Sequence, residues 1–455
     1  MSLARIDALL EERREAHLEQ LFRLLRQESI SAQNVGVGYC ADLVRTMLEE
    51  AGLRARLMPT KGHPVVYGEY LPDPRAAFTV LFYGHYDVQP PDPLDAWSSP
   101  PFEPTVRDGR IYGRGAGDNK GQFLAHIVAV KAYLDALGDL PVNVKMVLEG
   151  EEESGSPNLA AFVTEHQELL SADLVYTSDG PMHESGAPFV LLGVRGMLQL
   201  ELSATGAEWD NHSGNKGNIV PNPVWTLIDA LKSMRADDGR ILVEGFYDAI
   251  RAPSALELEM LEHLPFDRAR VAKDVGYAAL DLDGKHYYRL LTMEPTINIS
   301  GMHSGYVGEG SKTIIPSKAT VKMDLRLVVD QEPDKIFAKV ASHLQQHAPE
   351  VALRYVGGMK PSRTPAEHPL VGVVTDAVRA AYGVEPLIMP SLGGSLPSYV
   401  WTDILKRPSI IVPYANSDEA NHSPNENIGI EEFFAGIRCS CYVLDALGSQ
   451  ANALR

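Results

Sequence analysis

Phe78-Thr79-Val80-Leu81-Phe82-Tyr83-Gly84-His85-Tyr86-Asp87 is the stretch on which the fold turns. Its first six residues make an unbroken, mostly apolar, β-prone run of strand length, the pattern of a strand buried on both faces. The run stops at a glycine, and two titratable side chains, His85 and Asp87, follow at once. In open α/β sheets ligands gather at the carboxyl ends of strands. One short segment therefore predicts a central strand and a functional site at its end.

The flanking sequence supplies the layers such a strand needs. Helices are expected up to Arg26 and over 37–51, the latter stopped by Gly52, with strands over 53–59 and 65–71. A helix over 121–137, a buried strand over 142–148 and a short strand over 174–177 continue the alternation, which implies an α/β domain with a mainly parallel sheet and helices on both faces. The texture changes after Gly193. Residues 197–204 and 319–328 alternate apolar and polar as strands with one wet face do, and helices over 222–234 and 333–347 and a strand over 351–356 complete an inserted α+β unit. The acidic, helical stretch 237–285 reads as an elaboration of that insert. From Leu370 the first texture returns: a helix to Tyr382, a strand over 409–412 and a closing helix from Glu431. The expected organisation is a discontinuous catalytic domain, 1–194 and 363–455, with a lid or dimerisation domain, 195–362, between its halves.

Composition limits the function. The 455 residues carry 41 Lys and Arg against 60 Asp and Glu, a net charge of −19, which argues against nucleic acid or an anionic membrane as partner. Residues 4–27 are charged throughout, unlike a signal peptide, and no apolar run reaches membrane-span length. Cys40, Cys439 and Cys441 are too few and too scattered for a disulfide framework and suit a reducing cytoplasm.

Against that acidic background, titratable residues recur at strand ends and in glycine-rich loops. Asp118 lies in Gly113-Arg114-Gly115-Ala116-Gly117-Asp118-Asn119-Lys120-Gly121, just before a helix; the loop lacks the spacing of a nucleotide-binding P-loop. Glu149, Glu151, Glu152 and Glu153 crowd the end of the 142–148 strand, Asp179 follows 174–177, and His422 follows the last strand in Asn421-His422-Ser423-Pro424-Asn425-Glu426. Singly these are ordinary: a His-x-Asp is incidental, a glutamate run is a solvated face, Asp-Gly is a turn. Jointly, at strand ends of one sheet, they predict a metal site, because clustered carboxylates repel and a divalent cation removes that cost. Carboxylate and imidazole ligands suit zinc, with manganese or cobalt as alternatives. Two histidines and three carboxylates exceed one tetrahedral catalytic site and suit two metals about 3.5–4 Å apart.

These motifs, in this order, resemble the dinuclear zinc exopeptidase family of carnosinases, cytosolic nonspecific dipeptidase, carboxypeptidase G, aminoacylase and succinyl-diaminopimelate desuccinylase. Glu149-Gly150-Glu151-Glu152-Glu153-Ser154-Gly155-Ser156 is closest to the dipeptidase branch. The resemblance implies that His85, Asp118 and Asp179 hold one metal, and that Asp118, Glu153 and His422 hold the other. It makes Glu152 the general base and acid for a metal-bridging hydroxide, and gives Asp87 the task of orienting His85. It also implies a cis peptide between Asp118 and Asn119, and a homodimer formed through the insert in which His212 supplies a donor to the substrate, often across subunits. Arg326, Thr313, Gly394 and Ser395 match substrate-contacting positions, with Arg326 gripping the substrate carboxylate.

The implied reaction is hydrolysis of an amide bond in a small peptide. One departure stands out: the dipeptidase branch carries Arg-Glu before its Gly-Gly-Ser, where this chain has Ser391-Leu392. Loss of that acidic residue, which can bind a free amine, leaves deacylation of N-acyl amino acids as the alternative. A metal-binding protein without activity is the third reading, and the presence of Glu152 and all five ligands speaks against it.

Overall fold

A computed structural model describes residues 2–72 and 78–450. The remaining residues of the expected domains, 1, 73–77 and 451–455, lie outside the described ones.

Thr79–His85 forms the expected strand, and every residue after Thr79 in it is buried. Its alternate side chains feed two cores. Val80 and Phe82 join the cluster under the helices Val37–Glu50, Lys120–Leu137, Pro369–Tyr382 and Ile430–Gln450. Leu81 and Tyr83 join the opposite cluster, with Phe162 and Trp401. That two-sided packing is why the run shows no polar alternation. The eight-stranded sheet runs Arg54–Met58, Val65–Tyr70, Asn143–Glu149, Thr79–His85, Leu174–Thr177, Ser409–Ile411, Phe189–Leu191, Leu387–Met389. Four of its seven pairings are parallel, including all three at the centre. The mainly parallel α/β architecture with helices on both faces is thus as expected.

Residues 196–359 build a second, antiparallel sheet in the order Thr296–Ser304, Lys318–Leu327, Gly196–Thr205, Ala352–Met359. Leu198, Leu200 and Leu202 face Val321, Met323 and Leu325 in a core closed by helices Pro223–Met234 and Pro333–His347. The first of these helices starts on Asn222, whose side chain accepts the Val224 amide, with Pro223 as its opening residue. Where the chain leaves and re-enters the first unit, Gly193–Val194 pairs with Ser362–Arg363.

One expectation changes. The helices Ala255–Glu262 and Gly284–Thr292 do not elaborate the core of the second sheet. Leu261, Leu264, Tyr288 and Met293 pack with Phe189, Leu191 and Met389 of the central sheet. The buried Arg363–Glu257 ion pair, 3.1 Å, fastens the same segment there. Amphipathic helices state that one face is buried, not which neighbour buries it.

Candidate metal centre and active site

His85 ends its strand opposite Glu149 in parallel register, so both stand at one edge of the sheet. Asp179 follows the neighbouring strand Leu174–Thr177 by two residues, and Asp118 precedes the helix Lys120–Leu137 by two. The Asp118–Asn119 peptide is cis, as expected. Asn119 stays inside the same edge, donating from Nδ2 to the Ser178 carbonyl at 2.7 Å. Gly117 leaves room for the buried Glu419, since a Cβ there would lie 2.1 Å from Glu419 Oε2 and push that carboxylate aside.

His85 and His422 flank Asp118 from opposite sides. His85 Nε2 lies 3.1 Å from Asp118 Oδ1 and 3.6 Å from Asp179 Oδ2, while His422 Nε2 lies 3.0 Å from Asp118 Oδ2 and 3.2 Å from Glu153 Oε2. Two ligand groups result, His85–Asp118–Asp179 and Asp118–Glu153–His422, sharing Asp118. His85 Nδ1 is 3.1 Å from the Asp87 carbonyl, which fixes the tautomer with Nδ1–H donating and Nε2 free as a ligand. His85 Nε2 and Asp179 Oδ2 are buried without a hydrogen-bond partner. A cation coordinated by these two atoms would satisfy both, so the donor set fits divalent metals.

Among themselves the charges of these groups answer one another. The His422 ring is raised to about 10 by its hydrogen bonds to Asp118 and Glu153. Burial opposes protonation of His85, yet Asp118, Asp179 and Asp87 hold it well above the usual histidine range. Asp118 sits below the usual carboxylate range despite its burial, because the His422 and His85 rings both lie against its carboxylate. Burial raises Asp179 and Glu153, and raises Glu152 well above the usual range, with the neighbouring carboxylates adding to the effect.

Glu152 and Glu153 are held by Asp87. The Glu152 amide donates to Asp87 Oδ1 and the Glu153 amide to Oδ2, each at 3.1 Å. Asp87 thus meets His85 chiefly through its carbonyl, its carboxylate lying 3.4 Å from Nδ1. A cavity of about 510 Å³ opens over the cluster, lined by Asp118, Glu152, Glu153, Asp179 and His422 together with Arg326, Gly394 and Ser395. Arg326 Nη1 donates to Ser395 Oγ at 2.8 Å.

A sequence profile of Peptidase family M20/M25/M40 matches residues 81–446, a span that holds all of these side chains. The chain belongs to that family. Beta-Ala-His dipeptidase of Rattus norvegicus is 30% identical over 92% of this chain and 86% of its own length. Cys-Gly metallodipeptidase dug1 of Schizosaccharomyces pombe is 28% identical over 99% of each chain. The crystal structure of the M20 family metallo-carboxypeptidase Sso-CP2 from Sulfolobus solfataricus superposes with a TM-score of 0.90 at 35% identity, covering 95% of this chain and 99% of that one.

Within this family member, two of the expected site residues stand elsewhere. His212 and Thr313 do not line the cavity. They sit together on the second sheet's unit, where the strand Asn211–His212 pairs with Ile314–Ile315 and the Ser213 amide donates to the Thr313 carbonyl. His212 is exposed, and its Nδ1 accepts only the Gly214 amide.

Three residues of the site were not singled out from sequence. Glu426, fully buried, accepts the amides of Gly115, Gly117 and Asp118 at 3.0, 3.0 and 2.9 Å and the Arg114 guanidinium at 2.7 Å. It is the template on which the Asp118 loop is wound. Gln89 donates to Glu153 Oε2 at 2.8 Å. Arg195 Nε donates to the Gly393 carbonyl at 2.8 Å, fixing the Gly393-Gly394 loop. Gln89 stands two residues past Asp87 and Glu426 four past His422, and proximity to the motifs was their only signal.

Proposed function

We propose that this chain is a metal-dependent dipeptidase. The observation that carries the reading is the sharing of Asp118 between two ligand groups, with one carboxylate oxygen toward each histidine and Glu152 in the same cavity. His85, Asp118 and Asp179 would hold one divalent metal, and Asp118, Glu153 and His422 a second. Zinc suits this donor set, with manganese or cobalt as alternatives. Bound there, the metals would supply Lewis acidity and bring the pKa of water toward neutrality.

The chain's own groups do the rest. Glu152, raised by burial, takes the proton of the attacking water and returns it to the leaving amine. Asp87 keeps Glu152 and Glu153 in place through their amides. Arg326, backed by Ser395 and the Gly394 loop, receives the substrate's carboxylate in its bidentate fork. The relatives above are named for the dipeptides β-Ala-His and Cys-Gly, which favours a dipeptide over an N-acyl amino acid.

His212 and Thr313 would act in trans. We infer a homodimer formed through residues 195–362, which serve as lid and interface, so that His212 of one copy donates to the carbonyl oxygen of a substrate in the other. The exposed Trp209, Ile219, Trp225, Ile299, Met302 and Val307 of that unit supply the apolar surface such a contact needs. Among the described residues no helix is long and apolar enough to cross a membrane, and three buried, unpaired cysteines accord with a cytoplasmic site of action.

Metal analysis tests the centre. Two metals per chain are expected, with activity on dipeptides lost to a chelator and restored by zinc, manganese or cobalt. A chain that holds less than about one metal and keeps its activity through chelation would not be a two-metal enzyme.

A further inference from the structure

Arg326 has defined neighbours on the sheet face that looks into the cavity. Strand register sets Arg326 opposite Met197, and Met197 opposite Met359. Directly opposed residues send their side chains to one face with Cβ atoms about 4.5–5.5 Å apart. That face is the one turned away from the Leu198 and Leu325 core, and all three residues line the cavity that holds Asp118 and Glu152. The facing wall is the loop around Gly393. Arg326 bonds Ser395, while Arg195 holds the loop from behind through its bond to the Gly393 carbonyl and its amide's bond to the Gly394 carbonyl at 3.1 Å. This brings Leu392 and Leu396 to the cavity beside the arginine. The carboxylates that line the cavity are Asp118, Glu152, Glu153 and Asp179, all at its metal end. The arginine end thus offers a guanidinium set among two thioethers and two isobutyl groups, with the Gln199 amide and the Ser395 hydroxyl as its neutral polar groups and no acidic side chain.

We propose that Met197, Met359, Leu392 and Leu396 form a specificity subsite for an apolar side chain on the C-terminal residue of the substrate. The inference rests on the reading above, in which Arg326 holds that residue's carboxylate. A carboxylate is one bond from its own Cα, so the side chain on that Cα starts within a few ångströms of the guanidinium, where these four residues offer it an apolar wall. A lysine or arginine there meets Arg326 and finds no counter-charge. An aspartate or glutamate competes with the main-chain carboxylate for the same fork. An apolar side chain is simply removed from water. Two flexible methionines let the subsite accept leucine, methionine and phenylalanine alike.

The test is a series of dipeptides Ala-X, with X as Leu, Met, Phe, Gly, Lys or Asp, on the metal-loaded enzyme. Leu, Met and Phe are expected to exceed Gly in kcat/KM by roughly tenfold or more, chiefly through KM, as an interaction made equally in ground and transition state requires. Lys and Asp are expected to fall below Gly. Met197→Ser and Leu392→Ser, made separately, should each lower kcat/KM on Ala-Leu several-fold and leave Ala-Gly within about twofold, Ala-Gly serving as the internal measure of folding and metal content. A flat wild-type series, or losses of equal size on Ala-Leu and Ala-Gly in both variants, overturns the subsite while dipeptide hydrolysis stands. Cleavage of no member of the series overturns the dipeptidase reading along with it.

Discussion

The strand ends of the central sheet and the open side of the inserted unit both carry histidines, and they differ in what surrounds them. His85 is fully buried, and Asp87, Asp118 and Asp179 around it are buried too. Buried polar atoms must be partnered, so each has been placed against another, and the orphans that remain converge on positions for ions. His212 is exposed and bonded only to its own turn. Nothing within its chain obliges it to meet a substrate. His422 is exposed as well, yet Asp118 and Glu153 of its own chain hold its ring, so what sets His212 apart is exposure without a side-chain partner.

The largest expected effect belongs to the buried side. Glu152→Gln should keep both metals and lose roughly 10²–10⁴ in kcat, read by steady-state rates alongside metal analysis; full turnover in the metal-loaded variant would remove Glu152 as proton carrier. On the exposed side, His212→Ala should lose about 10²-fold in kcat with metal content unchanged. Mixing His212→Ala chains with Glu152→Gln chains should then restore part of the activity, because a mixed dimer holds one site with both groups intact. No restoration on mixing would place the action of His212 within its own chain or nowhere.

Smaller effects test how burial organises the centre. Glu426→Gln removes the charge that collects three amides of the Asp118 loop, and metal affinity should fall roughly 10–100-fold in competition with a chromogenic chelator. An unchanged affinity would reduce Glu426 to a scaffold for the loop alone. His126 gives the pH dependence of stability. It is fully enclosed between Phe82, Tyr176 and Tyr414, and burial pushes its ring down to about 3. The folded value is depressed, so the unfolded chain takes up the proton first, from about 6.5 downward. Stability is therefore lost as the pH falls, by about 2 kcal/mol between pH 6.5 and 5 from this residue. Denaturant unfolding of His126→Gln should show a correspondingly shallower loss over that interval than the parent; parallel curves would deny the ring this role.

Much of this was legible beforehand, for a physical reason. A strand buried on both faces must be apolar throughout, so 78–83 declares itself, and the titratable residues that the structure gathers at one sheet edge follow its end and the ends of its neighbours. Other features leave no such trace. Thr296–Ser304 was not foreseen as a strand because it is bonded on one side only and exposed along most of its length, so no alternation marks it. Glu426 works on backbone amides some three hundred residues away, and amides carry no sequence signature. Asp87 was expected to orient the His85 ring, and nothing in the sequence marked its carboxylate as also collecting the two glutamate amides. The helices at 255–292 showed an apolar face without showing that the face belongs to the central sheet.

The pairing of Gly193–Val194 with Ser362–Arg363 has a consequence for how such a chain can change over time. The two points where the chain departs and returns are cross-strand neighbours, with Cα atoms about 5 Å apart. A two-residue turn could close that gap. The antiparallel sheet between them can be enlarged or exchanged for another module without moving a strand of the central sheet, so long as the helices Ala255–Glu262 and Gly284–Thr292 still cover that sheet, which lets the strand ends stay fixed while the inserted sheet varies.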